Sequence, residues 1–273
     1  MTVVVFHGNC YDGFGAAWAA SKFLGRSEHV KYISAAYDKG PPPEVFDAEQ
    51  VYILDYCYKP DEMIAIAQKT KVLVLDHHHT AVQRMTGVTH PNLESMFDME
   101  RSGAGMAWDY FSRGTTRPEL INHIEDRDLW KFKIPGSREV QASLISYPMD
   151  FTVWDSFNVA GLMSEGVALL RMNEQIVEKT CKSPWLINMA GHFIPVVNTS
   201  MAWSEVGEHL LEKHPNAPFV ASFTEFGDTT MWSLRSREDF DCGEIAKQFG
   251  GGGHKQAAGF KIRRGQLLYD KLP

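Results

Sequence analysis

The sequence predicts an α/β fold in two lobes, on three observations. Short β-rich apolar runs end abruptly in polar clusters three times within the first 80 residues. Segments with helical spacing separate and follow these runs, as expected where strands alternate with helices. Beyond His192 the pattern changes to strand, helix, strand, strand, helix, strand, which predicts a second, smaller α/β domain.

Thr2–Phe6 (TVVVF) is the first run and leads to His7, Cys10 and Asp12, then Gly13 and a helix-like stretch from Phe14 to Leu24. Val51–Leu54 (VYIL) is the second and ends in Asp55. Val72–Leu75 (VLVL) is the third and meets Asp76, His77, His78 and His79. Continuous apolar runs of this length suit strands buried on both faces. Ser102–Arg113 follows with a Ser N-cap and Met106, Ala107, Tyr110 and Phe111 at helical spacing. Arg117–Arg127 carries Leu120, Ile121 and Ile124 on one face and leads into Glu125–Trp130 (EDRDLW). Val159–Lys182 is long enough to link two domains, and Ser183-Pro184 ends it. The expected organisation is a first domain over 1–157, a helical linker over 158–184 and a second domain over 185–273.

Composition narrows the class. A chain of 273 residues with 44% hydrophobic residues has room for two cores. It has no apolar run of about 18 residues, and its N-terminus lacks the features of a secretory signal, so a cytoplasmic protein is expected. Cys10, Cys57, Cys181 and Cys242 form no CxxC pair, as expected of thiols in a reducing compartment. The net charge of -7 divides into -6 for residues 1–183 (18 basic, 24 acidic) and -1 for residues 184–273 (9 basic, 10 acidic). Long nucleic acid is gripped by phosphate neutralisation on a basic face, and this charge balance speaks against such a face.

The three polar clusters point to metal chemistry. Side chains at the carboxyl ends of strands in an open α/β sheet face the ligand crevice. Carboxylate and imidazole together suit divalent manganese, cobalt, zinc or iron. On Asp76-His77-His78, together with GGGGHKQAAGF at Gly250–Phe260, the chain resembles the DHH phosphoesterase superfamily, of the type in which a DHHA1 domain follows the DHH domain.

The resemblance implies a mostly parallel-sheet DHH catalytic domain, a smaller α/β DHHA1 substrate-binding domain, and two divalent metal ions, with Mn2+ expected. It implies a phosphodiesterase of the small nanoRNase or oligoribonuclease-like kind, acting on linear diribonucleotides to give nucleoside monophosphates. Asp55 would bridge the ions, with His7 on the first and Asp12, His77 and Asp126 on the second. Asp126 is preferred because DRDLW stands at the family's fourth acidic motif; Asp128 would then lie behind it, and a salt-bridge network around Arg127 is the structural alternative. Asp76 would act as a ligand or orient a histidine, and His78 would hold the scissile phosphate or protonate the leaving oxygen, so His78, Asp76 and Asp55 form the expected catalytic set.

One position departs from the family pattern. Cys10 stands where many members carry the first Asp of an Asp-x-Asp pair, and it is either a thiolate ligand favouring zinc or iron or a small buried residue. In the second domain, Gly251, Gly252 and Gly253 could offer backbone amides to an anion, His254 a further donor, and Arg235 and Ser236 of the SLRS segment a phosphate contact. Tyr11, Tyr56 and Tyr58 are candidates for base stacking. The expected partner is a short oligonucleotide or dinucleotide, without long duplex nucleic acid or membrane, and a homodimer is a candidate assembly. Alternatives are a non-catalytic nucleotide sensor, a single-strand exonuclease, a cyclic-dinucleotide phosphodiesterase and a 3′-phosphoadenosine 5′-phosphate phosphatase.

Overall fold

A computed structural model describes residues 1–36 and 39–266; the last seven positions of the expected second domain, 267–273, lie outside the described residues. The chain divides into two compact units, Met1–Leu170 and Arg171–Pro273. The first contains β1 (Thr2–His7), α1 (Tyr11–Leu24), β2 (Val30–Ala35), β3 (Gln50–Leu54), α2 (Pro60–Ala67), β4 (Lys71–Asp76), α3 (His79–Met85), β5 (Leu93–Phe97), α4 (Gly103–Ser112), α5 (Glu119–Asp128), α6 (Ser137–Ser146) and α7 (Phe151–Asp155). Helix α8 (Val159–Thr180) crosses the division.

Among the described residues the first unit holds a five-stranded sheet in the order β2-β1-β3-β4-β5, and each pair in it is parallel. The central strands separate their side chains onto two faces. Val3, Val5, Val51, Ile53, Val72 and Val74 pack with Met63 and Ile66 of α2 and Ala81 and Met85 of α3. Val4, Phe6, Leu54, Leu73 and Leu75 pack on the other face with α1, α4 and α5. Helices on both faces explain why these strands read as unbroken apolar runs. The edge strands differ: β2 (VKYISA) and β5 (LESMF) are only partly buried, and their polar residues hid them from sequence reading.

Strand order places the crevice. The chain moves from β1 to β2 on one side and continues through β3, β4 and β5 on the other, so the direction reverses beside β1. Ligands in open α/β sheets bind at the carboxyl ends of strands next to such a reversal. The register aligns those ends, with Phe6 opposite Leu54 and Leu54 opposite Leu75. The next residues, His7, Asp55 and Asp76, are therefore level with one another.

The second unit contains β6 (Trp185–Met189), β7 (His192–Asn198), α9 (Trp203–Lys213), β8 (Phe219–Phe226), β9 (Thr229–Ser236), α10 (Cys242–Gln248), β10 (Gly252–Gly253) and β11 (Ala257–Arg263). Its strands run in the order β10-β11-β9-β8-β7-β6, antiparallel except for the parallel pair β7–β8. One face packs on α10 through Ile245, Ala246 and Phe249, and the other on α9 through Val206 and Leu210. Strand β6 was not foreseen in the sequence. Among the described residues no helix is long and apolar enough to cross a membrane.

The join between β1 and α1 leaves no space for a side chain at Gly13. A Cβ there would lie 2.3 Å from the His7 carbonyl oxygen and 2.7 Å from the His7 Cβ. Gly161, near the start of α8, has nothing closer than the Asn158 Cβ at 4.0 Å. Gly13→Ala is expected to cost about 1–3 kcal/mol or more through overpacking. Gly161→Ala is expected to be neutral or stabilising by up to about 1 kcal/mol through helix propensity. Urea denaturation of both variants measures the contrast, and equal effects would refute the packing account.

Candidate metal centre

The site starts from Asp55, the residue after β3, which adopts left-handed backbone geometry at φ 56°. Aspartate tolerates this region better than most residues, and such conformations cluster at functional sites. The Asp55 amide donates to the Leu75 carbonyl at 2.8 Å, which extends the sheet by one residue and fixes the turn. The side chain is 1% exposed, and neither carboxylate oxygen has a hydrogen-bond partner. His7 Nδ1 is 3.4 Å from Asp55 Oδ2, His77 Nε2 is 3.1 Å from Oδ1 and His78 Nδ1 is 3.9 Å from Oδ1. A buried carboxylate lacking hydrogen bonds, with imidazoles on both sides, fits cation binding better than a structural ion pair.

His77 is the second focus. Its Nε2 also lies 3.6 Å from Asp12 Oδ2 and 3.5 Å from Asp128 Oδ2, so three carboxylates converge on one nitrogen. Burial opposes the imidazolium, but Asp55, Asp128 and Asp12 outweigh it and push the His77 pKa up to about 11. His7 is raised in the same way, with Asp55 overcoming burial. Asp55 answers oppositely: despite its burial, His7 and His77 hold it well below the usual carboxylate range. Asp12 is pushed well above that range by burial and by Asp55 and Asp128, and burial also raises Asp128. Donor atoms of His7, Asp55 and His78 fall within 4.8 Å of one another, as do those of Asp12, Asp55 and His77, so two triads share Asp55.

Helix α4 positions Asp12. Gly103 N donates to Asp12 Oδ2 at 2.6 Å and Ala104 N to Oδ1 at 2.9 Å, using amides that a helix N-terminus leaves unpaired. A Cβ on Gly103 would sit 2.4 Å from the Asp55 Cβ, so both carboxylates depend on a glycine there. Ser102 caps α4 by accepting from Gly105 N at 3.2 Å, while its own amide donates to Glu125 Oε2 at 3.0 Å. Gly103, Ala104 and Glu125 were missed in the sequence as parts of the site. The signal was the glycine immediately after the Ser102 cap.

Asp76 orients the histidine pair. Its Oδ1 accepts from the His77 and His78 amides at 2.8 and 3.2 Å and lies 2.7 Å from His78 Nδ1, while its buried Oδ2 has no hydrogen-bond partner. Carboxylate contact at one ring nitrogen fixes which nitrogen faces the ligand. His79 opens α3 and is half-buried.

The structure separates Asp126 from Asp128. Asp128 reaches His77, whereas Asp126 turns away and accepts from Lys133 N at 2.8 Å, Ile134 N at 3.0 Å and Ser137 Oγ at 2.6 Å. These donors occupy both Asp126 oxygens. Cys10 is the N-cap residue of α1 and belongs to neither triad; burial, with Asp55, Asp128 and Asp12 nearby, pushes its thiol well up. Tyr11 packs half-buried against the core. Tyr56 and Tyr58 are 2% and 3% exposed, pack edge to face at 4.9 Å and present no face to a base.

The second-unit candidates are more occupied than the sequence suggested. Ser236 Oγ lies 2.8 and 3.2 Å from the Phe240 and Lys255 carbonyl oxygens, which share its one proton and tie a buried hydroxyl to the turn. The Gly251 amide donates to the Ala246 carbonyl at 2.9 Å and the His254 amide to the Ala257 carbonyl at 2.8 Å. Gly252 and Gly253 pair with Gly259 and Ala258. A Cβ at Gly251 would stand 2.1 Å from the Gly259 oxygen, so close strand pairing requires this glycine. Pairing of this kind engages the Gly251 and His254 amides within the unit. Arg235 lies across Gly207 of α9, donating to Ser204 Oγ at 2.8 Å and Ser233 Oγ at 3.0 Å.

The raised His77 pKa has a measurable consequence. Its stabilising pairing in the metal-free protein is fully present below its unfolded value of about 6.5 and is lost as pH rises through about 11. Metal binding at neutral pH must displace that proton. Calorimetric titration with Mn2+ at pH 7 in buffers of different ionisation enthalpy is expected to register at least about one proton released per centre. Binding without proton release would remove His77 from the ligand set.

Residues 190–272 match the DHHA1 domain family. The uncharacterised protein R106 of Acanthamoeba polyphaga mimivirus is 31% identical, in an alignment covering 99% of this chain and 70% of that protein. Among solved structures, the DHH domain of PF0399, a member of the S1p family of ribosomal proteins, is similar with a TM-score of 0.53 and 13% identity over 96% of this chain and 82% of that one. RecJ from Thermus thermophilus in complex with Mn2+ gives a TM-score of 0.52 and 16% identity over 96% of this chain and 49% of RecJ, so the chain spans about half the length of that protein. These two structures share the fold, and the chain belongs to the DHH phosphoesterase superfamily, of the type that couples a DHH domain to a DHHA1 domain.

Proposed function

We propose that the protein is a two-metal phosphodiesterase that hydrolyses short oligonucleotides, above all linear diribonucleotides, to nucleoside monophosphates. The observation that carries this reading is the Asp55 carboxylate, buried without a hydrogen-bond partner and shared by the two triads. His7 and Asp55 would hold one ion, and Asp12, Asp55, His77 and Asp128 the other. Mn2+ is proposed by analogy with the ion bound to RecJ. Two such ions would supply Lewis acidity and an activated water at neutral pH.

The chain's own residues supply position and a proton. The α4 amides hold Asp12 in place, and Asp76 holds the His78 ring through Nδ1. His78 Nε2 is assigned to the scissile phosphate or its leaving oxygen. Water adds to phosphorus as the bond to the leaving ribose oxygen breaks, and that oxygen takes a proton from His78. General acid catalysis of this kind contributes about 10²–10⁴-fold. Short substrates are favoured because the chain carries a net charge of -7 and lacks the basic surplus that long nucleic acid requires. Within the second unit, Arg235 and His254 are proposed as phosphate-binding residues.

Product formation from RNAs of two to seven nucleotides, a cyclic dinucleotide and pyrophosphate, with Mn2+ present or chelated, tests the reading. Metal-dependent release of mononucleotides, falling steeply beyond the dinucleotide, is expected. Asp55→Ala and His77→Ala should abolish turnover with the fold intact by circular dichroism, and His78→Gln should lower kcat by about 10²–10⁴-fold. Tight dinucleotide binding with no turnover in any metal would replace the enzyme with a nucleotide sensor, a reading favoured by Cys10 standing outside both triads.

A further inference from the structure

Asp128 is the last residue of α5, and the chain reverses immediately after it. Leu129 N donates to the Glu125 carbonyl and Trp130 N to the Arg127 carbonyl, both at 3.0 Å. The following amides then converge on Asp126: Lys131 N and Phe132 N reach its carbonyl at 2.9 and 3.3 Å, and Lys133 N and Ile134 N its two carboxylate oxygens. Ser137 Oγ donates to Asp126 Oδ2 and in turn lies 2.9 Å from His123 Nδ1. Asp126 is 5% exposed.

The loop so gathered is strained. Trp130 and Phe132 sit at φ 54° and 46°, a region unfavourable for large side chains. Their rings meet at 4.9 Å, with Arg138 3.7 Å from the Phe132 centroid and Arg127 5.1 Å from that of Trp130. Strained backbone persists only where its surroundings over-determine it. Here Asp126 supplies that constraint through five separate contacts. Ending α5 at Asp128 requires this reversal, and the position of Asp128 Oδ2 beside His77 follows from where the helix ends.

We propose that Asp126, backed by Ser137 and His123, is a positioning residue that sets Asp128 at the metal centre by folding the Leu129–Ile134 loop back over itself. The inference rests on the proposed role of Asp128 as a ligand. Asp126 lies outside both triads and acts through the backbone. Residues that orient ligands from behind typically cost 10–100-fold in metal affinity when removed.

Calorimetric titration of the metal-stripped full chain with Mn2+ tests this on Asp126→Asn, Asp128→Asn, the double variant and Ser137→Ala, each with a thermal melt. Asp126→Asn is expected to weaken the tightest Mn2+ site by about 10–100-fold while still melting cooperatively. In the Asp128→Asn background, the same change should cost no more than about twofold, because the residue it positions has gone. Ser137→Ala should shift affinity in the same direction by less, and it decides the cycle if Asp126→Asn does not fold. Unchanged Mn2+ affinity with a lowered melting temperature would make Asp126 a helix stop and nothing more. An equal loss in both backgrounds would show it acting independently of Asp128; either result overturns the inference. Unaltered affinity in Asp128→Asn would instead remove the ligand reading itself, and the inference with it.

Discussion

The buried charge of Asp55 is the constraint on which the first unit depends. A carboxylate 1% exposed cannot remain ionised in a protein interior without compensation at close range. That compensation comes from His7 at the end of β1 and from His77 and His78 beyond β4, the two strands flanking β3. The parallel register makes the three strand ends level, so the imidazoles arrive together. A slip of one residue in either pairing would turn the apolar residues onto the wrong faces and misplace the histidines. The same register therefore serves core packing and site assembly.

Close approach is the second requirement. Asp12 reaches the cluster only because α4 points two amides at it, and α4 reaches Asp55 only because position 103 lacks a Cβ. Gly13 does the same for α1 against the end of β1. Glu125 joins α5 to the start of α4 through the Ser102 amide and is itself held by Arg117 at 2.7 Å. Three helices are thus tied to one carboxylate cluster by backbone contacts, which place the side chains more firmly than surface ion pairs could.

How much of this was legible in the sequence follows from what each signal depends on. The central strands were readable because burial on both faces leaves uninterrupted apolar runs, whereas β2, β5 and β6 carry polar or exposed residues and gave no comparable signal. His7, Asp12, Asp55 and His77 were legible because each stands at or just beyond a strand end. Asp126 and Asp128 could not be separated in this way. Two residues apart on a helix they point about 160° from one another, and which one faces the site depends on how α5 is rotated and stopped. That is decided by tertiary contacts to Asp126, from residues up to eleven positions later. The glycine run was legible as glycine, but local pattern does not distinguish a backbone opened to an anion from one brought close to a neighbouring strand.

The electrostatics connect these features. Asp12, Asp55, Asp76 and Asp128 share a small volume with His7, His77 and His78. The histidines are raised, Asp12 and Asp128 are raised, and Asp55 alone among these three carboxylates is lowered. Imidazoles on both sides hold Asp55 low despite its burial, and burial, with Asp55 close by, raises Asp12 and Asp128. Such an arrangement gains little stability from its charges, since desolvation offsets most of the attraction between them. Its organisation suits a cation: a divalent ion would supply more charge than a proton at a similar point and would satisfy the Asp55 oxygens left without a hydrogen bond.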